Sequence, residues 1–356
     1  MSQEFRELLK KVGSGSHTSK DLSREESAIA TRLMLLQEAT PAQIGAFMIS
    51  HRIKRPTAEE LAGMLDAYGE LGPTIPAIDS PHSVMVLGCP YDGRSRTASV
   101  TPLTMLILAA AGSPVLLHGG DRMPTKEGIP FIEIWKALGL PLDRLSLEQV
   151  HQLLQRTGFG FVYLPRHFPA AQGLVPYREQ IGKRPPFATI ELMWSPYAGT
   201  SQTVIGYVHP PTEGLTQHTF AIRGQQNFIT VKGLEGSCEL PRSRTAIIGL
   251  SQANGEIERL LLHPRDYGFA AEDVPFEGDE ALIQAIQTTL QGQPSEFMQS
   301  AIWSSGFYLW RSGVANSFEA GLAQAEAALT SGQAQAKLEE VRQAAEELSL
   351  VAVGRV

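Results

Sequence analysis

Apolar side chains recur every three to four positions through the first part of the chain, the spacing that gathers them on one face of a helix. Four such stretches fall at residues 5–12, 23–37, 41–52 and 57–69, divided by the short turns GSGSHTSKD, AT and KRP. Ser23 with Glu26, and Thr57 with Glu60, stand at the three-residue offset of a capping box, which marks where two of these helices start. A Pro/Asp/Ser-rich linker at 72–81 ends this all-helical region.

Beyond the linker the period changes. Strand-like apolar runs alternate with helical patterns at 83–87, 103–112, 114–117, 129–138, 147–157, 160–164, 204–208, 219–223 and 245–250. Such alternation predicts a mostly parallel sheet with helices on both faces. Residues 165–187 interrupt it with a helical pattern and are expected to pack back on the N-terminal helices, while Ala/Gln/Glu-rich amphipathic helices at 316–332 and 334–348 follow. The predicted fold class is therefore α/β, a small N-terminal all-α lobe beside a larger α/β lobe. Residues 1–72 form the helical domain, with 165–187 returning to it, and residues 73–164 and 188–356 form the α/β domain.

With 356 residues, 43% of them hydrophobic and 19% charged, the chain has apolar content for a core that serves two lobes. No apolar run approaches the roughly 18 residues that span a bilayer, and the stretch MSQEFRELLKK is a charged amphipathic helix rather than a signal peptide. Two cysteines, Cys89 and Cys238, exclude a disulfide scaffold and point to a reducing cytoplasm, where they read as small buried fillers. A formal net charge of −7 gives no global signal for nucleic acid. Arg94, Arg96, Arg122, Lys126, Arg166, Arg178, Lys183, Arg184, Arg223 and Lys232 nevertheless fall in Gly/Pro-rich segments, whereas acids such as Glu339 and Glu340 sit in helical patterns. Several of these bases converging on one cleft would make a polyanion site.

The chemistry is densest between Leu87 and Leu140. A strand ends in Gly88-Cys89-Pro90-Tyr91-Asp92-Gly93, two arginines follow at 94 and 96, and a long apolar helix pattern comes next. That order brings backbone N–H groups, a helix N-terminus and guanidinium groups around one anion. A second strand delivers His118-Gly119-Gly120-Asp121-Arg122 to the same sheet edge, where ligands of open α/β sheets bind.

These motifs resemble the anthranilate phosphoribosyltransferase family, a glycosyltransferase family that also takes in the pyrimidine nucleoside phosphorylases, over nearly the whole chain. Gly88 to Gly93 stand at the family's phosphate loop GTGGDG. Ala109 to Gly112, five further residues and His118-Gly119-Gly120 follow its AAAG and HGN spacing, and Lys126-Glu127-Gly128 and Lys136-Ala137-Leu138-Gly139 its later Lys-x-Gly and EALG. TGFGFVYLPRHFPA at 157–170 is similar to its TGIGFLFAPxxHPA, and PYREQIGKR at 176–184 to its PVRxxLGxR.

The resemblance implies a cytoplasmic transferase related to tryptophan biosynthesis, a homodimer, acting on a phosphoribosyl or nucleotide-like anionic ligand between its lobes. Gly88, Asp92, Gly93, Ser95, Arg96, Thr101, His118, Gly119, Arg122 and Lys126 would hold the phosphate and ribose. Arg178 would hold the acceptor's carboxylate, and Glu239 with Glu235 would hold Mg²⁺. Transfer in this family relies on positioning and charge stabilisation, so no catalytic nucleophile is assigned.

Departures from the family pattern fall on that chemistry. Cys89, Pro90 and Tyr91 replace glycines that let the backbone wrap a diphosphate, and Pro90 also removes a donor. Leu117 stands for a lysine and Gly120 for an asparagine, and Ala98 to Pro102 lack the family's loop asparagine. Cys238 takes a metal-binding aspartate's place, although Mg²⁺ wants oxygen ligands. Ordinary anthranilate activity is not expected on these grounds. Gly233-Leu234-Glu235-Gly236 is also similar to a TrpD-like branch with eroded motifs, which includes homodimers that bind nucleic acid without transferase activity. In that alternative, a basic groove would hold a phosphate backbone by counterion release.

Overall fold

A computed structural model describes residues 3–15 and 17–351. After α1 (Gln3–Val12), three capping boxes set the starts of α2 (Arg24–Leu35), α3 (Pro41–Lys54) and α4 (Ala58–Leu71). Ser23, Thr40 and Thr57 each accept the N–H three residues on, and Glu26, Gln43 and Glu60 return the bond. Glu60 does more than cap: it also accepts the Leu22 N–H at 2.9 Å and the Lys54 ammonium at 2.8 Å, tying the α1–α2 and α3–α4 connections together. Phe5, Phe47, Met48, Leu61, Met64 and Tyr68 are buried in this bundle. The apolar faces of α3 and α4 are thus largely buried within the chain. Ile53, at 66% exposure, and Leu36, at 46%, stay outside.

The larger lobe follows in the order β1 (Val84–Gly88), α5 (Thr101–Ala110), β2 (Val115–Gly119), α6 (Phe131–Ala137), α7 (Leu147–Thr157) and β3 (Phe159–Tyr163). Short helices α8 (Leu164–His167), α9 (Pro169–Gln172), α10 (Val175–Ile181) and α11 (Phe187–Met193) lead to β4 (Ser201–Gly206), α12 (Pro210–Ile222) and β5 (Phe228–Val231). Then come β6 (Ala246–Ser251), β7 (Ile257–Leu262), α13 (Asp279–Leu290), α14 (Glu296–Arg311), α15 (Phe318–Thr330) and α16 (Gln333–Val351). The seven strands form one sheet in the order β3-β2-β1-β4-β5-β6-β7. The first five are parallel, and β6 and β7 close one edge antiparallel. Strands β1, β2 and β5 are buried throughout, as helices on both faces of a parallel sheet require.

The sequence pattern missed three things. The apolar run at 219–223 is the end of α12, a helix that begins on Pro210 and Pro211, and a run that short has no period to separate helix from strand. Strand β5 has four residues, and β7 reads IERLLL with only Leu262 buried, so neither shows a clean alternation.

Two contacts fix the lobes to each other. Tyr68 of α4 packs against Phe168, Phe187 and Trp194, with ring centroids 5.1, 6.1 and 5.9 Å away. Asp66 of the same helix binds Arg24 at 2.5 Å and also Arg223, which follows α12. Among the described residues no helix is long and apolar enough to cross a membrane.

Candidate functional site

Strand order reverses between β1 and β4, and in such sheets the crevice outside the strands' carboxyl ends is where ligands bind. A cavity of about 300 Å³ lies there. Its walls are Pro90, Tyr91 and Asp92 after β1, Gly206 to His209 at the end of β4 and beyond, Arg52 of α3 with Pro56 after it, Arg178 of α10, Arg184 of the turn that follows, and Glu191 and Leu192 of α11. Glu235 and Gly236 close one side.

Beside this cavity the chain folds the segment after β1 into an anion cradle and fills it with its own carboxylates. Glu235 accepts the N–H groups of Ser95 at 3.3 Å, Arg96 at 3.0 Å and Thr97 at 3.0 Å, the Thr97 hydroxyl at 2.9 Å and the Lys126 ammonium at 3.1 Å. Consecutive N–H groups aimed at one point form a concavity for an anion. Glu239 does the same at the start of α5, accepting the Thr101 N–H at 2.9 Å, its hydroxyl at 2.7 Å and the Ser99 hydroxyl at 2.6 Å. Its second oxygen binds Arg94, and Arg94, Ser99, Thr101 and Glu239 are all buried. Burial alone would raise both carboxyls. For Glu235 the Arg96 N–H and Lys126 outweigh burial and hold it at about 2, and for Glu239 Arg94, Ser99 and Thr101 bring it below the ordinary range.

Backbone crosses backbone beside the cradle. Gly93, at a φ of 70°, lies so close to Gly128 that a Cβ on Gly93 would sit 2.7 Å from the Gly128 carbonyl carbon. Gly128 N–H donates to Asp92 O at 3.0 Å, so the loop carrying Lys126 is tied onto the segment after β1. On the other side the Ala98 N–H donates to Val274 O at 2.9 Å and the Phe276 N–H to Arg96 O at 2.9 Å.

The residues singled out in the sequence separate into four groups. Ser95, Arg96, Thr101, Lys126, Glu235 and Glu239 come together in the cradle, and Asp92 and Arg178 line the cavity. Gly88 and Gly93 act through packing, since a Cβ on Gly88 would meet the Leu192 carbonyl oxygen at 1.9 Å. His118, Gly119 and Arg122 lie apart from the ligand positions expected of them. His118 is fully buried behind Tyr91, accepts the Tyr91 hydroxyl at Nδ1 and reaches Trp194 O at 3.0 Å through Nε2. Burial drives it down to about 4, so it is a neutral residue packed behind the cavity wall. Gly119 ends β2 beside Phe161, and Arg122 turns outward to Glu133 and Asp279, each at 2.7 Å, bridging α6 and α13.

Arg94, Lys126, Arg178 and Arg184 each have an internal carboxylate partner, whereas Arg52 of the cavity wall is exposed. Arg94 binds Glu239, Lys126 binds Glu235, and Arg184 binds Asp92, with its Nε 2.7 Å from Oδ2. Arg96 is mostly exposed with its Nε 3.7 Å from Glu235. Arg178 hydrogen-bonds Glu191 in a pair where both side chains are almost fully buried. Burial pushes the Glu191 carboxyl up, and the Arg178 charge opposes it. Sequence reading named Arg94 and Arg184 only as bases for an anionic ligand, not as partners of Glu239 and Asp92, and assigned no role to Thr97, Ser99 or Glu191. A lone acid in the apolar helix FATIELM was the one available signal for Glu191.

Magnesium does not fit the carboxylates expected to hold it. The oxygens of Glu235 and Glu239 already accept N–H, hydroxyl, ammonium and guanidinium donors, and a metal would have to displace them. The Cys238 thiol turns away, donating to Gly88 O at 3.3 Å and Val204 O at 3.4 Å, and burial raises it well above its ordinary range. Among the described residues there is no group of three or more His, Cys, Asp or Glu side chains that could hold a metal ion.

A helical bundle docked on a mostly parallel sheet, with an anion cradle beside a cavity at the switch point, defines the two-lobed class of transferase fold. The chain belongs to the glycosyl transferase family: residues 92–335 match its a/b domain and residues 6–72 its helical bundle domain. The anthranilate phosphoribosyltransferase of Rhodopseudomonas palustris (strain BisB18) is 32% identical over 348 residues, covering 95% of this chain and 97% of that protein. The enzyme of the same name from Paracidovorax citrulli is 27% identical over 325 residues, covering 90% and 92%. Among solved structures, the Saccharomyces cerevisiae anthranilate phosphoribosyltransferase in complex with PRPP and Mg has a TM-score of 0.82 at 16% identity, covering 98% of this chain and 99% of that one. The Thermus thermophilus anthranilate phosphoribosyltransferase has a TM-score of 0.77 at 20% identity, covering 95% and 99%.

Proposed function

We propose that this chain binds a phosphoribosyl-type ligand in the switch-point cleft and that magnesium-dependent transfer to anthranilate is not its activity. The observation that carries this reading is the convergence of three consecutive N–H groups, Ser95 to Thr97, with Lys126 and Arg96 on a single carboxylate. A phosphate group offers such a cradle more charge and more acceptor oxygens than Glu235 does. It would seat there once the Glu235 side chain leaves, with the ribose lying toward Asp92 and the cavity. The saturated oxygens of Glu239 and the Cys238 thiol turned toward Gly88 O and Val204 O support the second half of the proposal, because diphosphate departure would lack a metal to take up its charge. Ion pairing of Arg94, Lys126, Arg178 and Arg184 favours a small ligand over a nucleic-acid backbone, which needs bases free to replace counterions.

Calorimetric titration with ribose 5-phosphate and with phosphoribosyl pyrophosphate, each with and without Mg²⁺, tests the reading. The expected result is binding of both that Mg²⁺ leaves unchanged, with no loss of anthranilate fluorescence when all substrates are supplied. Mg²⁺-dependent consumption of anthranilate, or no phosphate-ligand binding at all, overturns it.

A further inference from the structure

We propose that Glu191 bars carboxylates from the inner wall of the cleft, so that the ligand moiety seated against Arg178 is uncharged. The proposal rests on the cleft being a ligand site, as argued above, but concerns a different part of it from the phosphate cradle. Arg178 and Glu191 both line the cavity, and each is only 4% exposed. A buried guanidinium in a cavity wall is a ready receptor for a planar carboxylate, which its fork binds bidentately. Here that receptor is already engaged: Nη2 donates to Glu191 Oε1, and the other contact is Nη1 with Met123 Sδ at 3.0 Å. Arg178 Nε is buried without a partner, so the guanidinium keeps spare donor capacity while its charge is matched.

Charge balance around the cavity points the same way. Arg52, Arg178 and Arg184 face Asp92, Glu191 and Glu235, and two of the three arginines are held in ion pairs within the wall. An entering carboxylate would bring a second negative charge beside Glu191, where low polarity makes like-charge repulsion strong. An uncharged amide or ring carbonyl of the same shape meets no such repulsion. Glu191 is therefore a specificity-determining residue, set against anionic partners and in favour of neutral hydrogen-bonding ones.

Anthranilate and its uncharged isostere 2-aminobenzamide separate charge from shape. Titrated into the full chain without any phosphate ligand, the amide should bind at least ten-fold more tightly than the acid. Glu191→Gln keeps the side chain's volume and its acceptor oxygen but leaves the Arg178 charge unmatched, and should strengthen anthranilate binding at least ten-fold while moving the amide less than three-fold. Should that variant fail to fold, as judged by circular dichroism, the wild-type pair of titrations decides alone. Equal or tighter binding of anthranilate by the wild type, no binding of either probe, or an unchanged anthranilate affinity in folded Glu191→Gln overturns the proposal. Loss of ribose 5-phosphate binding with the amide preference intact would instead sink the phosphate reading and leave this one standing.

Discussion

Glu239 caps α5 from far along the chain, its Oε1 accepting the Thr101 N–H at 2.9 Å while its other oxygen holds the buried Arg94. One carboxylate thus satisfies a helix N-terminus and a desolvated guanidinium together. Glu239→Ala strips both of their partner. Removing one member of a buried pair costs on the order of 3–5 kcal/mol, and the variant should show that loss in urea unfolding at pH 7. A loss below about 1 kcal/mol, the size of an exposed pair, would mean that Arg94 and α5 find other partners.

Glu235 competes with any ligand for the N–H groups of Ser95, Arg96 and Thr97. A site occupied internally for most of the time binds an external ligand more weakly by the fraction of time it is free. Glu235→Ala should therefore raise the affinity for ribose 5-phosphate at least ten-fold, and the gain should shrink as salt screens Lys126 and the exposed Arg96. Calorimetry on the two proteins at low and high ionic strength reads both effects. An affinity that stays level or falls would show that Glu235 does not compete for the cradle.

Acid stability carries a signature of Glu60. Burial raises its carboxyl, but His51, the Leu22 N–H and Lys54 outweigh that and bring it from 4.5 to about 2. A carboxylate depressed on folding stabilises the protein fully above the unfolded value and loses that contribution as pH falls through the folded one. The window is therefore pH 4.5 down to about 2, and the 2.5-unit difference between those values corresponds to roughly 3 kcal/mol. Wild type should lose its advantage over Glu60→Gln across that window in denaturant titrations at pH 7, 4 and 2.5. A gap that does not change with pH would show the helical-lobe hub to be uncharged.

The two lobes were legible because their signals are local. Ser23, Thr57 and the alternation of apolar runs speak for themselves within a few residues. The cradle was legible as far as the strand–loop–helix order that places Ser95 to Thr101 at the sheet edge. Its occupants were not, because Glu235 and Glu239 come from about 140 positions later in the chain and nothing near them in sequence says which donors they meet. For the same reason the sequence did not show that His118 turns to Tyr91 and Trp194 and Arg122 to Glu133 and Asp279. A strand end is legible, but which way its side chains turn depends on Tyr91, Trp194 and Glu133, contributed from elsewhere. Glu191 was invisible as a partner of Arg178 because the pair spans the turn between two short helices.

His118 offers a measurement that separates a buried packing residue from a ligand residue. Its ring sits edge-on between Tyr91 and Trp194, with centroids 5.6 and 5.0 Å away, and burial lowers it from 6.5 to about 4 although the Trp194 carbonyl opposes the shift. A histidine lowered on folding leaves stability intact above the unfolded value, and that stability falls as pH drops from 6.5 toward 4. The ring proton resonances of His118, followed by NMR, should stay in the neutral form until near pH 4. Saturating ribose 5-phosphate should move neither their titration midpoint nor their shifts, because the ring faces Tyr91 and Trp194 rather than the cradle. A midpoint near 6.5, or one that rises on adding the phosphate ligand, would put His118 at the anion and return it to the binding site.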